Sequence, residues 1–190
     1  MPDFVKTGSA VIFMKIGVHA QEPLESIIKR KQDEFATAGK IFWGYGGNTC
    51  HPTRMVQPFA RAVAEQHASV RLVMHKMRSN HFAEPELARE YSDDGLNWYP
   101  VPKGIHVRGS RYAMVIGGLT EEEFDLNLRD TLVAVGPSRG ERGDSYIRGR
   151  VDKGCFELAT LGMADEPGPM STVHIDIHAP LLEPYAVLLR

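Results

Sequence analysis

The chain lacks several features that would place it in a specialised class of protein. It has two cysteines in 190 residues, too few for a disulfide scaffold, which predicts a reducing compartment and hence a cytoplasmic location. The longest early apolar run, Ala10–Met14, is interrupted by Lys15, so neither a signal peptide nor a membrane-spanning helix is predicted. The sequence predicts a soluble protein with one domain over residues 1–190 and no membrane partner.

The chain also lacks a strong charge of either sign and the common motifs of catalysis. Its 22 lysines and arginines nearly balance its 24 acids, so no strong overall field attracts nucleic acid. The glycines near residue 45 have no Walker lysine and no third glycine of a dinucleotide fingerprint, and no HExxH or paired-cysteine spacing occurs. The cofactor is therefore unknown from the sequence, and whether the protein is an enzyme stays open.

Hydrophobic periodicity divides the chain into two halves. The front half predicts strands at Ala10–Val18, Lys40–Trp43 and Val70–Met74, with helices from Pro23 to Gly39 and from Met55 to Ala68. The rear half predicts strands near Ile105–Val107, Tyr112–Ile116, Thr131–Val135, Tyr146–Val151, Cys155–Thr160, Thr172–His178 and Tyr185–Leu189. This order predicts an α+β fold, with a curled, mostly antiparallel sheet or small barrel and two main helices.

Local motifs predict how the rear half is connected. The Asp-Gly pair within Tyr91–Trp98 predicts a hairpin, and Asp152–Gly154 predicts a turn between two strands. Thr120 followed by Glu123 has the pattern of a capping box, which predicts a short helix. A helical turn is expected at Pro85–Arg89, and Gly162–Ser171 is expected to be a surface loop.

The densest group of unusual residues is a run of aromatics and glycines: Trp43, Gly44, Tyr45, Gly46 and Gly47. Glycines let the backbone approach a ligand closely, and aromatic rings offer flat faces for stacking. This run predicts a ligand-binding site for a planar molecule such as a nucleotide or nucleobase. The alternative is that Trp43 belongs to the core and that the glycines only turn the chain.

Cys50 and His51 follow this run and form a candidate catalytic pair. A cysteine near a helix N-terminus can have a lowered pKa and act as a nucleophile. Adjacent side chains rarely point at the same atom, so a base would have to come from elsewhere in the chain, for example His174 or His178. The alternative is that Cys50 is an ordinary buried thiol.

A second candidate site lies in the segment His174-Ile-Asp-Ile-His178. The two-residue period of a strand places His174, Asp176 and His178 on one face, where they could hold a divalent metal. The alternative is a polar stripe that faces solvent.

Basic residues concentrate in two rear segments. One contains Lys103, Arg108 and Arg111, and the other contains Arg139, Arg142, Arg148, Arg150 and Lys153. If the two segments converge, Arg148 and Arg150 are candidates to bind the phosphate of an anionic ligand. The alternative is that they are solvated loops with balancing acids.

The order of elements in the front half resembles the PUA-like superfamily, in particular its EVE and YTH branches. The likeness covers a strand at Ile12–Ile16, a helix, a strand ending in Trp43, a second helix and a strand at Val70–Met74. The resemblance implies a small barrel with an aromatic pocket for a base, often a modified one. Trp43 would then be the matching pocket residue, with Tyr45 or Trp98 as a second wall.

These patterns lead to one prediction of function and two alternatives. We expect a binding module that recognises a planar, anionic ligand, either free or within nucleic acid. One alternative is a small enzyme that uses Cys50 or a metal on His174 and His178. The other is a homo-oligomeric protein without a small-molecule site. The sequence leaves open the ligand, the choice between RNA, DNA and free nucleotide, and the oligomeric state.

Overall fold

The computed structural model describes residues 1–18, 22–80, 86–149, 151–159 and 171–190. In this part of the chain there are ten strands, two longer helices and one short helix. The strands are β1 (Ala10–Val18), β2 (Ile41–Tyr45), β3 (Val70–Asn80), β4 (Glu90–Ser92), β5 (Tyr99–Pro100), β6 (Tyr112–Ile116), β7 (Thr120–Asn127), β8 (Thr131–Val133), β9 (Lys153–Leu158) and β10 (Thr172–Leu189). The helices are α1 (Leu24–Ala38), α2 (Gln57–Glu65), which continues from a π-helical turn at Pro52–Val56, and α3 (Gly143–Tyr146); a 3-10 turn occupies Leu128–Asp130.

The predicted α+β fold is confirmed: a mixed, mostly antiparallel sheet carries two main helices. The strand order is β2-β6-β10-β3-β1-β9-β8, with β7 and β4 also paired to β10 and with β5 paired to β4. Only β1 and β3 pair in parallel among the described strands. Within the described ranges the sheet does not close on itself, so it is a sheet and not a barrel.

The front half follows the predicted order closely. Strand β1 has the predicted bounds, and its alternate residues enter two different cores: Ile12 packs beneath the helices, whereas Phe13 packs on the opposite face of the sheet. Helix α1 buries Leu24 and Ile27 against the first of these cores and ends at Gly39, whose φ of 70° suits glycine.

Strand β10 connects the two parts of the sheet. It pairs with β3 and β7 along its first half and with β6 and β4 along its second half. The two predicted strands Thr172–His178 and Tyr185–Leu189 are therefore parts of one strand of 18 residues. The hairpin predicted at Tyr91–Trp98 is present, since β4 pairs antiparallel with β5.

Two predictions in the rear half are wrong because strand pairing overrides a local motif. The capping-box pattern at Thr120 does not begin a helix; β7 alternates buried Phe124 and Leu126 with exposed residues and pairs with β10. The predicted turn at Asp152–Gly154 is also wrong, because Lys153 and Gly154 begin β9 and pair with β1.

Two predicted strands are also absent. Ile105 and Val107 are buried, whereas His106 is exposed, and the segment is not part of a strand. Lys31 donates to the carbonyl of His106, the N–H of His106 donates to Glu34, and the carbonyl of Val107 accepts from the N–H of Ala88. The predicted strand Tyr146–Val151 begins at the end of helix α3, whose backbone bonds continue to Ile147. Arg150 lies outside the described residues.

Two other predictions concern segments that are only partly described. Residues 86–89 of the predicted helical turn Pro85–Arg89 are not helical, and Pro85 lies outside the described residues. Of the predicted loop Gly162–Ser171, only Ser171 is described. In the described part of the chain, no helix has the length and apolar character needed to cross a membrane.

Candidate functional site

A cavity of about 840 Å³ lies at the carboxyl ends of β1 and β2. Its walls come from five segments that are distant in sequence, together with Met77. They are residues 14–17 at the end of β1, residues 22–31 around the start of α1, residues 43–49 from β2 onward, residues 106–110, and residues 151–153 before β9. The volume is within the range of sites that bind small molecules.

The aromatic-glycine run lines this cavity with all five of its members, Trp43, Gly44, Tyr45, Gly46 and Gly47. The rings of Trp43 and Tyr45 are each only 6% exposed, since alternate residues of β2 also pack into the core beneath α1. The two rings are therefore part of the core and part of the cavity wall at once. Trp43 is therefore a core residue that also lines the cavity, and its role in ligand binding stays a prediction.

Two contacts fix the shape of this run. The Tyr45 hydroxyl donates a hydrogen bond to the carbonyl of Cys50 at 2.6 Å, which holds the loop after β2. Burial raises the pKa of Tyr45, so the hydroxyl keeps its proton. A Cβ on Gly44 would lie 2.3 Å from Ser110 Oγ. Glycine is thus required at residue 44 because the segment 106–110 packs directly on β2.

A buried ion pair on α1 holds that same segment. Lys31 and Glu34 are 3% and 2% exposed, and Lys31 Nζ lies 2.9 Å from both carboxylate oxygens. Lys31 also donates to the carbonyls of Phe42 at 2.7 Å and His106 at 2.8 Å, and Glu34 accepts from the His106 N–H. Burial lowers the pKa of Lys31 to about 8.

Arg30, one residue earlier, also donates hydrogen bonds to acceptors within the protein. Its Nε and Nη2 donate to the two oxygens of Glu22 at 3.1 Å and 2.7 Å, and its Nη1 donates to the His106 carbonyl at 2.9 Å. Four charged or polar residues on and beside α1 line the cavity, and we call them the α1 group: Glu22, Arg30, Lys31 and His106. This group was not predicted from the sequence, although Lys31 continues the buried stripe of Leu24, Ile27 and Ile28 along α1, which is an unusual position for a lysine.

A second set of charges, the β9 group, consists of Lys15, Asp152 and Lys153. Lys153 is 3% exposed and donates to Asp152 Oδ1 at 2.5 Å. Its Nζ is 5.9 Å from the centre of the Tyr45 ring and would be 3.5 Å from a Cβ on Gly47. Burial lowers the pKa of Lys15, and the charge of Asp152 opposes that shift. Two lysines therefore lie around one carboxylate, next to the glycine loop.

The predicted catalytic pair does not face the cavity. Cys50 is fully buried, and its Sγ lies 3.8 Å from Sγ of Cys155, which is also buried. His51 packs its ring on Tyr112 with 5.2 Å between ring centres, and its pKa is lowered by burial and by Arg54 and Arg111. A buried thiol outside the cavity wall cannot attack a ligand there, so the geometry does not support Cys50 as a nucleophile.

The predicted metal-binding trio is only partly brought together. His174 and Asp176 lie near Glu123 of β7, and these three offer ligand atoms within 4.8 Å of one another on an exposed face. The pKa of His174 is raised, chiefly by its hydrogen bond with Asp125. His178 is separate: it is 4% exposed, and its Nε2 lies 3.1 Å from Glu122. A register shift in the pairing of β10 with β7 breaks the two-residue alternation on which the prediction was based.

The remaining predicted ligand-binding residues lie elsewhere. Trp98 is covered by the guanidinium of Arg190, 4.1 Å from the ring centre, and is not part of the cavity wall. Arg148 is exposed and is also not part of that wall, and Arg150 lies outside the described residues. Each predicted basic segment nevertheless contributes one cation to the cavity, Arg108 from the first and Lys153 from the second.

No protein family model, curated protein or solved structure matches this chain. The resemblance to the PUA-like superfamily therefore stays a prediction.

Proposed function

We propose that the protein binds a small anionic ligand with a planar part, a nucleotide or a nucleobase derivative, in the cavity beside β2. The observation that carries this proposal is the meeting of the aromatic-glycine run with an excess of positive charge. Five basic residues and two acidic residues line the cavity, Lys15, Arg30, Lys31, Arg108 and Lys153 against Glu22 and Asp152, and with the Glu34 carboxylate beside Lys31 an excess of two positive charges remains. An anion would balance this excess.

The apolar part of the wall fits the planar part of such a ligand. Trp43 and Tyr45 expose only a small part of each ring, so they contribute limited contact area. Apolar side chains of β1 and α1 complete the apolar part of the wall and are similarly buried: Met14, Ile16, Leu24 and Ile27. A cavity with apolar walls and a few polar groups is typical of sites that orient small molecules.

The charge of the whole chain favours a free small molecule over a nucleic-acid strand. The net charge is −2, and binding to a polynucleotide depends largely on basic surface that neutralises many phosphates. Five of the 22 lysines and arginines line one cavity, where they suit a ligand with one or a few charges.

The test is binding of a panel of nucleobases, nucleosides and nucleotides to Trp43→Leu and to a matched control. Phe42→Leu is that control, because Phe42 is also a buried aromatic residue of the same strand but packs on the opposite face, away from the cavity. Both variants lose a buried aromatic ring and should lose similar stability. We expect only Trp43→Leu to weaken binding, by roughly fivefold or more, since it alone removes a contact with the ligand.

Tryptophan fluorescence gives a direct readout of the same site. The chain has two tryptophans, so Trp98→Phe leaves Trp43 as the only indole. A ligand in the cavity should change the emission of Trp43. If no member of the panel changes the fluorescence or the melting temperature, the proposal is wrong; equal binding losses in the two leucine variants would place the ligand elsewhere.

A further inference from the structure

The β9 group has a feature that the α1 group lacks, and its role follows if the proposed function is correct. The cations of the α1 group already have protein acceptors: Lys31 has the Glu34 carboxylate and two carbonyls, and Arg30 has Glu22 and the His106 carbonyl. These cations hold the segment 106–110 against α1 and β2. A ligand would have to displace those contacts to bind them.

Lys153 differs from these cations in its surroundings. An ammonium group has three N–H donors, and among the described residues only Asp152 accepts one of them. The Tyr45 ring is its other neighbour, at 5.9 Å. A buried donor without an acceptor is costly, and a charged one more so. Lys153 is 3% exposed and lines the cavity, so the cavity is where further acceptors would have to lie.

The glycine loop beside this ammonium is open to an approaching anion. A Cβ on Gly46 would meet nothing within 4 Å, and one on Gly47 would meet only Lys153 Nζ. Gly47 has a φ of 85°, a conformation that suits glycine. In the described part of the chain, neither glycine N–H donates a hydrogen bond. Backbone N–H groups of such a loop, together with a lysine, are a common arrangement for binding phosphate.

We propose that Lys153 and the backbone of Gly46 and Gly47 form a subsite for the phosphate group of a phosphomonoester, such as a nucleoside monophosphate. Lys15 adds a second positive charge near Asp152, so the β9 group carries one net positive charge before the ligand binds. A phosphate oxygen would accept from the ammonium, and the planar part of the ligand would lie toward Trp43. The phosphate oxygens supply the hydrogen-bond acceptors for Lys153 that the described part of the protein does not provide.

The experiment compares three probes by calorimetry: a nucleoside, its 5′-monophosphate and its 5′-carboxylate analogue. We expect the monophosphate to bind best, and Lys153→Met to weaken it by roughly tenfold or more while leaving the nucleoside unchanged. Lys153→Arg should restore part of the affinity. Lys40→Met removes a lysine outside the cavity wall and serves as the control for loss of charge.

A measurement without any variant covers the case in which Lys153→Met does not fold. Inorganic phosphate added to the native protein should shift the amide resonances of Gly46 and Gly47. If the monophosphate and the nucleoside bind equally well and neither depends on Lys153, the subsite is overturned while the proposed function stands. A carboxylate that binds as well as the phosphate overturns the assignment to phosphate. If the native protein binds none of the probes, the proposed function fails as well.

Discussion

Lys31 and Lys153 are equally buried, at 3% exposure, and both line the same cavity, yet their surroundings differ. Lys31 is surrounded by acceptors from Glu34, Phe42 and His106, whereas Lys153 has only Asp152 among the described residues. The difference teaches that burial of a charge does not by itself indicate function. The number of acceptors that the protein supplies separates a structural lysine from a binding one.

The largest expected effect in this comparison is that of Lys31→Met. The substitution leaves the Glu34 carboxylate buried without its main partner and removes the bonds that hold the carbonyls of Phe42 and His106. We expect the free energy of unfolding to fall by about 3 kcal/mol or more in urea titrations. Lys29→Met, on the exposed face of α1, should change it little.

The double variant Lys31→Met with Glu34→Leu sharpens this result. Replacing both charges with apolar side chains removes the uncompensated carboxylate, so the double variant should be more stable than Lys31→Met alone. If it is not, the cost of Lys31→Met comes from the lost bonds to the segment 106–110 and not from the buried charge.

A smaller effect is expected from pH. Burial lowers the pKa of Lys31 from 10.5 to about 8, so between these values the unfolded chain binds the proton more strongly than the folded chain. Raising the pH from 8 to 10 should therefore increase the free energy of unfolding, by at most about 1.4 kcal/mol per pH unit. The difference between the native protein and Lys31→Met, measured by urea unfolding at each pH, isolates this contribution. A difference that is constant with pH would contradict it.

The smallest effect on stability is expected from Lys153→Met. The Asp152 side chain is 47% exposed, so it remains hydrated when the ammonium is removed, and methionine fills most of the same volume. The free energy of unfolding should change by less than about 1 kcal/mol. A loss as large as that of Lys31→Met would make Lys153 a structural residue and would remove the distinction between the two lysines.

The sequence predicts those parts of the fold in which local signals agree with packing. Strand β1 and the end of α1 at Gly39 follow directly from periodicity and from a glycine C-cap. It fails where distant residues decide the structure. Thr120 begins β7 and not a helix because β10, some fifty residues later in the chain, supplies the pairing partner. Ile105–Val107 looks like a strand, but side chains of α1 take both backbone bonds of its middle residue, His106.

The same limit applies to predicting the candidate site from the sequence. The aromatic-glycine run was found because its five residues are consecutive. Its charged partners come from segments far apart in the chain, and among the basic residues of the rear half no sequence pattern distinguishes Lys153 from Arg148. Only the packing of β9 beside β1 places one of them in the cavity and leaves the other in solvent.

Strand β10 affects whether part of the sheet can unfold separately from the rest. Its 18 residues are hydrogen bonded in succession to β3, β7, β6 and β4. Separating β6, and with it β2, from the rest of the sheet breaks bonds to this one strand. Exposure of the part of the cavity wall that lies on β2 should therefore occur in a cooperative transition and not by local fraying. In hydrogen-exchange experiments, the amides of β10 should be among the slowest to exchange.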